Sequence, residues 1–217
     1  MSAPTPDLVL LSLAKISFFD EQFEPVLNVL KSKANVREIT DPAEADALFL
    51  GASRPVVFTT DAAITKPKYS GQKAAAVAFV RNGGTIVFGG HFASFASPPN
   101  MNAFFAAFSL PWKSGDYHRT EVYLNGSMQQ LNHTGLTPRF SQKALNLANV
   151  SGNDALYLPS ASSRIQSMVF APELIEDLTQ TPAAFGSCGE GKVGYIGDVN
   201  WEDETTGVLM AMCGLNE

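Results

Sequence analysis

Two short segments carry the side chains best suited to chemistry. The first is Gly89-Gly90-His91-Phe92-Ala93-Ser94. Paired glycines allow a sharp backbone turn, and His91 after them can act as a general base. Ser94 can bind a substrate or attack as a nucleophile. The structural alternative is that the glycines permit close packing and His91 is a hydrogen-bonded member of the turn. The second segment runs from Asp198 to Glu204 and holds four carboxylates in seven residues. Such a set can bind a hard cation or supply an acid/base pair, with Glu202 orienting or protonating beside His91. Its structural alternative is that Glu202 or Asp203 caps a closing helix and Glu204 lies in the first turn, where negative charge is favoured. Trp201 is then a packing residue or the wall of a cleft.

Several other matches lack the context their chemistry needs. Gly186 to Lys192 fits G-x-x-x-x-G-K, and Gly189 to Gly194 fits G-x-G-x-x-G. Both phosphate sites require a helix N-terminus after the loop. Here Val193-Gly194-Tyr195-Ile196 follows, which is strand-like, so a hairpin turn is expected. Neither Cys188 nor Cys213 follows a strand and opens a helix, as an elbow nucleophile must. The chain contains no G-x-S-x-G, H-E-x-x-H or C-x-x-C. His118 and His133 stand alone and read as surface or hydrogen-bonded histidines. We assign no cofactor and no metal set from sequence.

The elements that must position these residues alternate at short intervals. Asp7–Leu13, Val36–Ile39, Asp46–Gly51 and Thr85–Gly90 read as strands, and Ala47–Leu50 is expected to run inside a parallel sheet. Phe23, Val26, Leu27 and Leu30 recur at helical spacing after a cap at Ser17 or Asp20. Ser70–Arg81 is an alanine-rich helix stopped by Asn82-Gly83-Gly84. Asn100 caps a helix carrying Met101, Phe104, Phe105 and Phe108. Gly115–Leu124 reads as a strand, Ser141–Leu147 as a short helix, and Leu156–Pro159 and Ile165–Phe170 as strands. Ala183–Cys188 and Lys192–Gly197 form a hairpin, and Asp203–Met212 a closing helix. This pattern predicts one α/β domain over residues 1–217, a sandwich around a mainly parallel sheet.

Composition narrows the partners. The 217 residues include 15 Lys and Arg against 21 Asp and Glu, a net charge of −6 with no basic block, so nucleic acid is not an expected partner. No apolar run has the ~20 residues of a membrane span. The first apolar run lacks a basic leader and reads as a strand rather than a signal peptide, which makes the expected location cytoplasmic. The sequons at Asn125, Asn132 and Asn149 then carry no meaning. The aromatic stretch from Phe92 to Trp112 exceeds what one helix face needs, which suggests a homodimer.

The segments VRNGGTIVFGGH and GEGKVGYIGDVNWEDETTGVLMAM resemble the class I glutamine amidotransferase-like superfamily, nearest its ThuA-like branch. The resemblance spans about two thirds of the chain and implies a flavodoxin-like fold. Amidotransferase members carry a G-x-C-x-G elbow and a late H-P-E segment that complete a Cys-His-Glu triad. Here His91 stands where the cysteine would be, Asn200 where the histidine would be, and only Glu202 matches. The resemblance therefore implies a family cleft without glutaminase activity, because no thiolate is available to form a thioester.

The resulting expectation is a protein that binds a small polar ligand or an interaction partner. The alternative is a hydrolase- or lyase-like enzyme using His91, Glu202 and Ser94, with a metal-assisted version that adds Asp198. In either case the Gly89–Ser94 turn should meet the Asp198–Glu204 segment, since both follow parallel strands. His91 should then face carboxylates and titrate at or above ~6.5.

Overall fold

The computed structural model describes residues 5–216. Strand β1 (Asp7–Leu11) leads through a loop to a short helix α1 (Phe19–Gln22) and then α2 (Glu24–Lys33). Neither helix has a side-chain cap; Phe18 and Phe23 hold the cap positions, where Ser17 or Asp20 was expected. Strand β2 (Asn35–Ile39) follows, then helix α3 (Pro42–Leu50) and strand β3 (Val56–Thr59).

Here the structure corrects the sequence reading. Asp46–Gly51 is not a strand: Asp46 to Leu50 form the second half of α3 and Gly51 is its C-cap. Asp41 caps that helix, its carboxylate accepting from the Ala43 and Glu44 amides at 2.8 and 3.2 Å, and Pro42 presets the first turn. Ala45, Leu48 and Phe49 are buried at i, i+3 and i+4, a helical stripe. A short apolar run does not by itself distinguish a strand from a buried helix segment. The third strand is instead the β-branched run Val56-Val57-Phe58-Thr59.

Helix α4 (Ser70–Arg81) ends at Asn82, and β4 (Thr85–Phe88) opens into α5 (Phe92–Phe95) and α6 (Pro98–Ala107). Ser97 is the N-cap residue of α6, with Pro98 and Pro99 in its first turn; Asn100 lies inside the helix. Strands β5 (Lys113–Leu124) and β6 (Arg139–Ala148) pair antiparallel. Ser141–Leu147 therefore lies in a strand rather than the expected helix. Phe140, Gln142 and Ala144 are buried while Ser141, Lys143 and Leu145 are only partly so, the period-2 signature of a strand. Tyr157–Leu158 forms β7, and Arg164–Ile165 and Glu173–Leu174 form β8 and β9. The expected strand Ile165–Phe170 thus contributes only Ile165 to a ladder and Gln166 to a single bridge with Arg119 of β5. Strands β10 (Ala183–Cys188) and β11 (Gly191–Ile196) make the expected hairpin, with Gly189 at φ 62° in its turn. Helix α7 (Asp203–Met212) closes the chain.

The main sheet has the order β10-β11-β4-β3-β1-β2. All neighbours in it are parallel except the β10–β11 pair, which makes the architecture an α/β, flavodoxin-like sandwich. Adjacent residues of β1 feed opposite cores. Val9 and Leu11 pack with α3, α4, α5 and α6, whereas Leu8 and Leu10 pack with α1, α2 and α7. The second sheet, β6-β5-β7, leans on both cores through Leu147 and Val122.

The aromatic stretch is consumed inside the protein. Phe92, Phe104, Phe105 and Phe108 are fully buried and Trp112 is 1% exposed, whereas Phe95 is 58% exposed. The apolar surplus that suggested a homodimer is therefore internal core.

Candidate functional site

The carboxyl ends of β1, β3, β4 and β11 emerge at one edge of the sheet, where open α/β folds place ligands. After β1, Ser12 Oγ meets Thr60 Oγ1, just past β3, at 2.8 Å. Next comes Asp61, 5% exposed, whose carboxylate accepts from the Ala14 amide and the Ala63 amide at 2.8 Å each. Burial pushes its pKa up, opposed by these two bonds and by the charges of Lys66 and His91. A cavity of about 230 Å³ opens beside it, lined by Ala14, Ile16, Asp61, Ala63, Lys66 and Phe95.

The turn after β4 has a left-handed residue, but it is Gly90 (φ 57°) and not His91. A methyl group on Gly90 would stand 3.0 Å from the Thr60 carbonyl oxygen. The tightest point of this turn therefore has no side chain. His91 follows it, its amide donating to Thr60 O at 2.8 Å and its Nε2 to Gln22 Oε1 at 2.9 Å. The rings of Phe18, Phe19, Phe23 and Phe95 surround the imidazole edge-on at 5.2–5.7 Å between centroids. Burial in this apolar setting lowers the His91 pKa below 6.5, and the acid that partly offsets it is Asp61. This overturns the expectation that His91 would titrate at or above that value because it faced the Asp198–Glu204 carboxylates.

Two of those carboxylates, Asp198 and Glu202, are engaged in other contacts. Asp198 is fully buried and organises the loop into α7. Its Oδ1 accepts from the Asn200 and Trp201 amides at 3.1 Å, and its Oδ2 from the Glu202 amide at 2.7 Å and Thr205 Oγ1 at 2.5 Å. Trp201, at φ 57°, turns its ring into the cluster, 5.3 Å from Phe23 and 5.9 Å from Phe58. A methyl on Gly89 would lie 3.4 Å from Trp201 Cζ3, so the two loops adjoin through this indole. Glu202 points elsewhere and pairs with Arg119 of β5. Among the described residues no hydrogen bond or ion pair joins His91 to Glu202, and Ser94 is exposed. Nor is any group of three His, Cys, Asp or Glu side chains among them placed to hold a metal ion.

Cys188 and Cys213 are both buried, and burial drives the Cys213 thiol up to about 12. The sequence reading missed Asp61, Gln22, Lys66 and Arg119. Asp61 lies two residues past the end of the strand Val56–Thr59, so correct placement of that strand would have drawn attention to it.

No protein-family model matches the chain. No curated protein matches it. Solved structures match through the fold. A β-galactosidase from Bacillus circulans sp. alkalophilus aligns with TM-score 0.59 and 12% identity over 97% of this chain. The chain spans only 31% of that enzyme's length. A ThuA-like protein from Parabacteroides merdae aligns with TM-score 0.50 and 11% identity, covering 98% of this chain and 91% of that one. Such likeness shows a shared α/β fold alone, since one fold hosts many activities.

Proposed function

We propose that the protein binds a small polar ligand at the carboxyl edge of its parallel sheet and has no glutaminase activity. The observation that carries this reading is Gly90. The left-handed point of the turn after β4, where an elbow nucleophile would project, bears no side chain. The groups around it favour holding over reacting. His91 is bound to Gln22 among phenylalanines, Glu202 is paired with Arg119, and both thiols are buried. What remains open is the cavity beside Asp61 and Lys66. At about 230 Å³ it lies below the ~300–1,000 Å³ of drug-sized sites and suits a metabolite of a few polar groups. A buried acceptor and a cation on its walls can fix such a molecule's orientation.

One titration with glutamine tests both parts. Glutamate release is followed by a coupled assay, and amide shifts are followed in the same samples by NMR, then repeated with a panel of small polar metabolites. We expect no glutamate above the uncatalysed background, and saturable shifts at Ala63, Lys66 and His91 with at least one ligand. Cysteine-dependent glutamate release would overturn the first part. A panel that leaves those three amides unmoved would overturn the second.

A further inference from the structure

A second cavity, of about 620 Å³, lies on the antiparallel sheet and plays no part in the cleft around His91. Tyr117, His118 and Arg119 of β5, Lys143 of β6, and Ile165 and Met168 line it. Its walls divide by chemistry. Tyr117 is 54% exposed and Met168 is fully exposed, and with Ile165 they present apolar surface to solvent. Single exposed apolar residues need no explanation, but here they share one concavity.

The charges are asymmetric in how they are used. Arg119 is held by Glu202, and its guanidinium also reaches Ser141, at 3.5 Å. Its positive charge is matched and its position fixed. Lys143 is different. Its ammonium lies 5.2 Å from the Tyr117 ring centroid, and among the described residues it forms no ion pair. A cation held over an aromatic face keeps its charge in a defined place without neutralising it. His118 is partly buried, and burial favours its neutral form over the influence of Asp116. The cavity thus offers one unmatched positive charge beside an apolar wall.

We propose that this cavity is a binding site for a small monocarboxylate with an apolar body. The carboxylate would meet the Lys143 ammonium, and the body would rest on Tyr117, Ile165 and Met168. A single unmatched cation fits a monoanion, whereas a phosphate dianion calls for the multiple donors that Arg119, already paired, does not supply. Met168 is unbranched and adaptable, which suits a site that accepts a range of apolar shapes.

The test uses 2-naphthoate and its neutral isostere 2-naphthamide, titrated into the full-length protein and followed by amide NMR. We expect naphthoate to shift Tyr117, His118, Lys143 and Gln166 with a Kd of about a millimolar, from ordinary ligand efficiencies. Naphthamide should bind about tenfold more weakly, a difference in reach of one exposed ion pair at low salt. Lys143→Met keeps the aliphatic stem and removes the charge, so it should weaken naphthoate about tenfold and leave naphthamide unchanged. Tyr117→Ala should weaken both. The spectrum of each variant reports independently that it is folded. Equal binding of acid and amide, insensitivity to Lys143→Met, or shifts confined to the Ala63–Lys66 cavity would each overturn the proposal. So would the absence of saturable shifts at ~20 mM naphthoate.

Discussion

Replacing Gly90 by alanine tests the turn on which the functional reading rests. Gly90 sits at φ 57°, and an added Cβ would lie 3.0 Å from the Thr60 carbonyl oxygen and 3.4 Å from Phe19 Cε2. Holding an L-residue left-handed costs about 1–2 kcal/mol. The Thr60 oxygen belongs to backbone already fixed by the His91 amide, so relief there is limited and adds to the cost. The lost freedom of the unfolded chain returns about 0.4–1 kcal/mol. The net destabilisation is then about 1–2 kcal/mol. In urea, with a slope of ~3 kcal/mol per molar, the midpoint should fall by about 0.5 M at constant slope. Two controls separate the contributions. Gly83 has φ +94° with nothing within 4 Å of its added methyl, so Gly83→Ala reports backbone strain with no crowding. Gly71 lies in α4 with open space around it, and Gly71→Ala should raise stability by about 0.5 kcal/mol. If Gly90→Ala costs less than Gly83→Ala, the close approach to Thr60 is not a constraint and the turn has room for a side chain.

The other predictions concern titration and burial. His91 should titrate below 6.5 by NMR; Asp61→Asn should lower its pKa further, and Glu202→Gln should leave it unmoved. Because its folded pKa lies below its unfolded one, His91 contributes stability above about pH 6.5 that is lost as the pH falls through the folded value, so a denaturation series should show that loss and His91→Gln should flatten it. Asp61 and Asp198 have raised pKa values and act with the opposite sign: their contribution is full below the unfolded carboxylate value of about 3.9 and is lost as the pH rises through their folded values. Asp198→Ala leaves three amides and the Thr205 hydroxyl without their acceptor and should cost about 3 kcal/mol or more in chemical denaturation. Cys188 and Cys213 should resist iodoacetamide at pH 8 until the protein is unfolded, as mass spectrometry would show.

The sequence by itself determined the elements whose signals are local. The strand opening at Asp7, read to Leu13 and formed to Leu11, the helix closed at Asn82-Gly83-Gly84, the hairpin at Gly189 and the closing helix from Asp203 all follow from periodicity and turn chemistry within a dozen residues. So does the α/β class, which needs only their alternation. Tertiary structure decided the ambiguous segments. Asp46–Gly51 has the apolar density of a buried strand, and its capped helix is fixed by packing Ala45, Leu48 and Phe49 against the sheet. Ser141–Leu147 pairs with β5, a partner set by a loop of more than a dozen residues. The site depended on these same decisions. Sequence picked out His91, Ser94 and Glu202 because their types suit catalysis, but charge partners are assigned by topology. The order β11-β4-β3-β1 places Asp61, after β3, as the acid that acts on His91, and β5 brings Arg119 to Glu202. The His91 proton affinity was misjudged for the same reason. The carboxylates of the distant Asp198–Glu204 segment suggested a charge effect, while four phenylalanine rings, three of them from the α1 region, supply the burial that outweighs it. Burial is a property of the assembled core, and no short stretch of sequence contains it.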